Sequence, residues 1–74
     1  MRNQETMKKL EAMSDRFIRQ LTHVSQARVA VEAGVGVGLV RIFEIDRAAI
    51  GDASKRKSLE RIYARLRNTI ARAA

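Results

Sequence analysis

Residues 29–40 read VAVEAGVGVGLV, with three glycines on alternate positions inside an otherwise apolar run. Four structures can use that much backbone freedom. A phosphate-gripping loop needs Gly-Lys followed by Ser or Thr, or else a strand before it and a parallel-sheet unit around it. Leu39 and Val40 occupy the places of the lysine and hydroxyl, and the chain is too short for the sheet. A strand over 35–45 fits the alternation of apolar residues at 35, 37, 39, 43 and 45. Val40 and Ile42 then make its second face apolar too, and a doubly buried strand needs partners that helical flanks do not supply. A single long helix, with Ala30, Gly34 and Gly38 at a close crossing, loses about 3 kcal/mol to its three glycines relative to alanine. The fourth reading ends a short helix at Gly34, whose tolerance of positive φ makes a sharp turn, and starts another at about Val37. Ala30 is then small where the two backbones meet, Val29 and Ala33 face the core, Val35 plugs the turn, and Val40 with Phe43 anchors the second helix. This is a helix-turn-helix over about 26–46.

The flanks are helical on both sides. A first helix is expected over about 5–23, with Leu10, Met13, Phe17, Leu21 and Val24 on one stripe and the pairs Glu5–Lys9 and Asp15–Arg19 on the outer face. A boundary falls around 22–25, where Ser25 can accept from the free amides of a new first turn. The last helix is expected over about 54–72, capped by Asp52 or Ser54 and packed through Leu59, Ile62, Tyr63, Leu66 and Ile70. Around its other side Lys57, Arg61, Arg65 and Arg72 follow a ridge of roughly four-residue steps, with Asn68 in the gap. The expected architecture is therefore all-α, a single four-helix domain over 1–74 with helices at about 5–23, 26–33, 37–46 and 54–72.

Composition narrows the function. At 74 residues without cysteine, the chain holds neither a disulfide framework nor a Cys-based zinc site, and a second copy is a natural source of further burial. The start MRNQETMKK lacks the apolar core of a signal peptide, and no run approaches the ~20 apolar residues of a membrane span, so a cytoplasmic protein with no membrane partner is expected. Lys and Arg number 15 against 8 Asp and Glu, a net charge of +7. That field favours a polyanionic partner. The excess is concentrated at the end, where residues 51–74 carry seven basic and two acidic side chains.

The run VAVEAGVGVGLVRIF resembles the VAxxAGVSxxxVxxxF pattern of phage-repressor-type (lambda-repressor-like) helix-turn-helix regulators. Shared features are the alanine four residues before a glycine, valine after it, and apolar anchors six and nine residues beyond. The likeness covers about 20 residues directly. It departs at Gly36, where the family places Ser or another polar cap, and in the sparse charge of 37–45, which offers only Arg41 and Glu44. The resemblance implies a sequence-specific regulator of transcription, a repressor acting as a homodimer on double-stranded DNA, with the second motif helix in the major groove.

On that footing Gly36, Val37, Gly38, Arg41 and Ile42 face bases. The Arg41 guanidinium can donate two parallel bonds to guanine, Val37 or Ile42 can touch a thymine methyl, and the glycines let the backbone come close. Gln26 and Arg28 are placed for phosphate on one side, and Arg47, Lys55, Arg56 and Lys57 on the other. The alternative for Arg41 is a pair with Glu44 or Asp46. Catalysis has little to draw on: His23 is the lone histidine, and the acids form no cluster with ligand spacing. No enzyme, cofactor, metal or small-molecule substrate is expected. The competing reading is a small basic helical adaptor or inhibitor that binds an acidic protein, or RNA.

Overall fold

In the computed structural model, which describes residues 3–73, five α-helices follow one another: α1 Asn3–Ala12, α2 Asp15–Leu21, α3 Gln26–Ala33, α4 Val37–Ile45 and α5 Ala53–Ala73. A 3₁₀ turn, Arg47–Ala49, joins the last two. Among the described residues there is no strand. The centre of the chain obeys local chemistry. Ser25 caps α3 by accepting from the Arg28 amide at 3.0 Å. Gly34 closes α3 at φ 71°, its N–H donating to the Val31 carbonyl while Val35 N–H donates to that of Ala30. That pair of reversed bonds is the Schellman closure, and it turns the chain straight into α4. Asp52 caps α5 by accepting from the Lys55 amide at 3.0 Å.

The beginning of the chain departs from the expected single helix. Met13 and Ser14 interrupt it, and Ser14, in an extended conformation, accepts from the Phe17 amide to cap α2. The interruption resets the helical register. Ile18 becomes fully buried, while Phe17 and Leu21, expected on the core stripe, are each 45% exposed. The expected Asp15–Arg19 pair does not form, because each side chain is drawn to a distant partner.

α5 lies against the other helices and gives the core Leu59, Ile62, Tyr63 and Leu66, which meet Leu10, Ile18, Val29, Val40, Phe43 and Ile50. Ala30 is buried beside the turn, and Ala33 and Val35 pack on the core edge, as the turn reading requires. The rings of Phe43 and Tyr63 stack at 5.3 Å between centroids and so fix α4 to α5. Burial of side chains of this size stabilises by about 1.5–3 kcal/mol each.

Two ionic clusters lie inside this shell. Asp15 accepts from Arg47 (Nε–Oδ2 2.8 Å) and from Arg67 (Nη1–Oδ1 2.9 Å). Arg67, itself buried, also donates to the carbonyls of Leu10 and Met13, tying the interrupted end of α1 to α5. Burial pushes Asp15 up, but the hydrogen bonds from Arg47 and Arg67 outweigh it and hold the carboxyl below its ordinary range. The second cluster centres on Glu44 and underlies the candidate site.

Candidate nucleic-acid interface

α4 presents one face to the core, through Val40, Phe43 and Glu44, and the other to solvent. On the solvent side stand Gly36, Val37, Gly38, Arg41 and Ile42, which the fold brings together on one surface. Val37 is 37% and Ile42 43% exposed, and Ile45, at the far end, is 86% exposed. Arg41 is exposed and has no ion pair or side-chain hydrogen bond among the described residues. Its two suggested acidic partners are engaged elsewhere. Asp46 accepts from the Ala48 amide, and Glu44 is turned inward.

Glu44 is the support on which this surface rests. Its carboxylate, 3% exposed, accepts from Arg19 Nε at 2.6 Å, from Gln26 Nε2 at 3.0 Å and from the Tyr63 hydroxyl. One side chain thus joins α2, the start of α3, α4 and α5. Burial raises Glu44, yet the hydrogen bonds from Arg19, Tyr63 and Gln26 prevail and keep it below the ordinary carboxylate range. Burial and the neighbouring carboxylate push Tyr63 up, so its hydroxyl stays a donor at any physiological pH. The Arg19 and Glu44 charges pair within the cluster, and Arg41 stands exposed at the edge of the same depression.

The glycines divide by role. Gly34 is required by the turn, being the one glycine among the described residues at positive φ. Gly38 has an ordinary helical backbone, and a Cβ added there meets nothing within 4 Å. Glycine inside a helix costs roughly 0.5–1 kcal/mol relative to alanine, and nothing in the fold asks for it at this position. Gly36 starts α4 without a side-chain cap, and its Cβ position is equally open.

The six candidate phosphate contacts are spread more widely than the motif suggests. Gln26 is at the start of α3, beside α4, with its amide donating to Glu44. Arg28 pairs with Glu32 at 2.8 Å along α3, facing α5 rather than α4. Arg47 is committed to Asp15 and also lies over the Phe43 ring, 4.9 Å from its centroid. Arg56 donates to the Ile50 carbonyl at 2.7 Å and braces the loop before α5. Lys55 is exposed at the start of that helix, and Lys57 is exposed on its outer side.

One cation escaped the sequence reading. Arg16 is exposed in the first turn of α2 and lines an open depression together with Ser14, Arg19, Gln26, Arg41, Glu44 and Ile45. It stands near Arg41 only because the chain breaks at Ser14; the Ser-Asp pair at 14–15 was the available signal, hidden by a hydrophobic spacing that ran straight through it.

Fold and site together define a class, a small all-α protein built on two short helices joined by a left-handed glycine turn. Comparison with family models, curated proteins and solved structures finds no match for the chain. Among the described residues no three His, Cys, Asp or Glu groups gather to hold a metal ion, and no helix is long and apolar enough to cross a membrane.

Proposed function

We propose that the protein is a sequence-specific DNA-binding regulator of transcription that lays α4 in the major groove. The observation that carries this reading is the outer face of α4. It offers an unpaired Arg41 between two half-exposed apolar side chains, beside a glycine whose missing Cβ serves no contact inside the molecule. A face of this kind suits close approach to base edges: Arg41 donates two bonds to guanine O6 and N7, Val37 and Ile42 meet thymine methyls, and Gly36 and Gly38 admit the backbone. Arg16 and the first amides of α3 beside Gln26 border that face and are suited to hold phosphates, and Lys55, exposed at the start of α5, is a further candidate. Arg47 and Arg56 take the supporting role of fixing the loop that follows α4.

Function on this reading is recognition without bond making, in the cytoplasm, with repression by occlusion of a promoter. A homodimer on two half-sites agrees with the small size of the domain, and Phe17 with Leu21, four residues apart and half exposed on α2, offers apolar surface for it.

Selection of bound fragments from a random duplex pool tests the proposal. An enriched motif is expected, on which Arg41→Ala loses about 1–3 kcal/mol and relaxes choice at one base pair. A pool with no enrichment, or an equal loss on selected and random duplexes, overturns it.

A further inference from the structure

α5 carries a second charged surface that the groove-binding face does not use. Its inward side holds Leu59, Ile62, Tyr63, Leu66 and Arg67, all buried. At 3.6 residues per turn the opposite side is Lys57, Arg61, Arg65, Asn68 and Arg72, and every one of them is exposed. From first to last this ridge extends roughly 22 Å along the helix, with cations about 6 Å apart over its first two steps. Glu60 is the only acid within α5, and it is half-buried at the flank. Arg65 reaches Glu32 and remains 62% exposed, but Glu32 is shared with Arg28, so the pair of arginines keeps an excess positive charge. Lys57, Arg61 and Arg72 have no acidic partner among the described residues.

The ridge and the α4 face point away from each other. α4 and α5 meet through the Phe43–Tyr63 stack, each turning its apolar side to the other, so their outer sides look out from opposite sides of the core. A straight duplex seated on α4 leaves the ridge uncovered.

We propose that the outer face of α5 is a second DNA-binding surface, which grips the phosphate backbone of a separate duplex segment without reading its bases. It rests on the proposed function only for the first segment. The chemistry of the ridge selects this occupant. A membrane-surface helix needs an apolar side to insert, and the apolar side of α5 is inside the core. A protein interface is built around a desolvated apolar or aromatic centre, and the ridge supplies arginines without such a centre. Readers of single-stranded RNA stack bases on aromatic rings, which the ridge lacks. What remains is a line of cations on a rigid rod, matched to a line of phosphates. One molecule then holds two stretches of DNA, one by sequence and one by charge.

The test is an NMR titration of the whole chain with a short duplex of random sequence, following backbone amides and arginine Nε–H signals. Signals of Arg41 and the start of α4 are expected to move first. Those of Arg61, Arg65 and Arg72 are expected to move past the stoichiometry at which α4 saturates, with a log-log salt slope of about −2.7 for about three phosphates. The triple variant R61Q/R65Q/R72Q, altered only at exposed positions, is expected to lose that later step by about tenfold or more while the first stays within about twofold. Static Arg61 and Arg72 signals in excess duplex, or a later step that survives in the triple variant, overturn the proposal. So does tighter capture of the ridge by phosphatidylglycerol vesicles or duplex RNA than by DNA. Moving ridge signals with a static Arg41 reject the groove reading and leave the ridge standing; the reverse pattern rejects the ridge alone.

Discussion

The turn between α3 and α4 and the break between α1 and α2 do the same job by different means. Around Gly34 everything that shapes the chain lies within a few residues: the left-handed glycine, the reversed bonds from Gly34 and Val35, and small Ala30 at the crossing. At Met13–Ser14 the cap is local, but the geometry is held from far along the chain. Arg67 reaches back to the carbonyls of Leu10 and Met13, and Asp15 is shared by Arg47 and Arg67. The first is a turn by conformational preference, the second a turn by long-range ionic ties. Changes at Gly34 should therefore act through backbone strain alone, whereas changes at Asp15 should loosen three helices together.

Asp15→Ala is the severest way to break that contrast. It leaves Arg67 buried with no counter-charge, a loss of about 3–5 kcal/mol that denaturant unfolding measures directly. Replacing both partners, as D15L/R67M, is expected to recover part of the loss, because the uncompensated charge goes with it. A D15A protein as stable as the parent removes the long-range account of the break.

Acid probes both ionic clusters at once. Asp15 and Glu44 are held below their ordinary range in the folded protein, so the unfolded chain takes up protons first as pH falls. Their contribution is complete above the unfolded carboxylate range, about pH 4, and is lost as pH drops through the lower folded values. Urea midpoints recorded from pH 6 down to pH 2 should fall accordingly. Glu44→Gln should start lower and show a flatter acid limb; an unaltered limb argues that Glu44 carries none of this dependence.

At the central turn the expected effects are smaller and purely local. Gly34→Ala places a Cβ at φ 71° with nothing within 4 Å of it to clash, so about 1–2 kcal/mol of conformational strain is the whole penalty. Thermal unfolding reads it, and a loss well beyond that range points to packing instead. Gly38→Ala sharpens the comparison from the other side: stability should rise by roughly 0.5–1 kcal/mol while affinity for a selected duplex falls. An alanine that stabilises and leaves DNA affinity intact means that the glycine is not there for close approach. Gly36→Ser, which supplies the absent capping oxygen, should add a few tenths of a kcal/mol.

The same contrast explains what was legible. The helices of the central motif and α5 were written in caps and spacing, and their observed limits follow them closely. The candidate base-facing residues fall on one exposed surface for the same reason. The start of the chain misled because Leu10, Met13, Phe17, Leu21 and Val24 keep a helical rhythm across a break that Ser14 imposes, leaving Phe17 and Leu21 outside and Ile18 within. The charged interior was hidden by an assumption about polar residues. Glu44 stands four residues after Val40, and Arg67 four after Tyr63, each in step with the buried stripe. A charge at such a place reads as a boundary until a partner is visible, and the partners lie 25 and 52 residues away.

By itself, then, the amino-acid order determined the helical character, the turn at Gly34, the capped starts of α3 and α5, and the cationic outer side of α5. These follow from interactions among neighbours a turn or less apart. Only the folded arrangement decided which charges are buried, that Arg47 braces the core while Arg16 joins Arg41 at the surface, and that the two basic faces point apart. Those outcomes depend on which helices meet across the core, and ionic partners far apart in the chain leave no periodic trace in it.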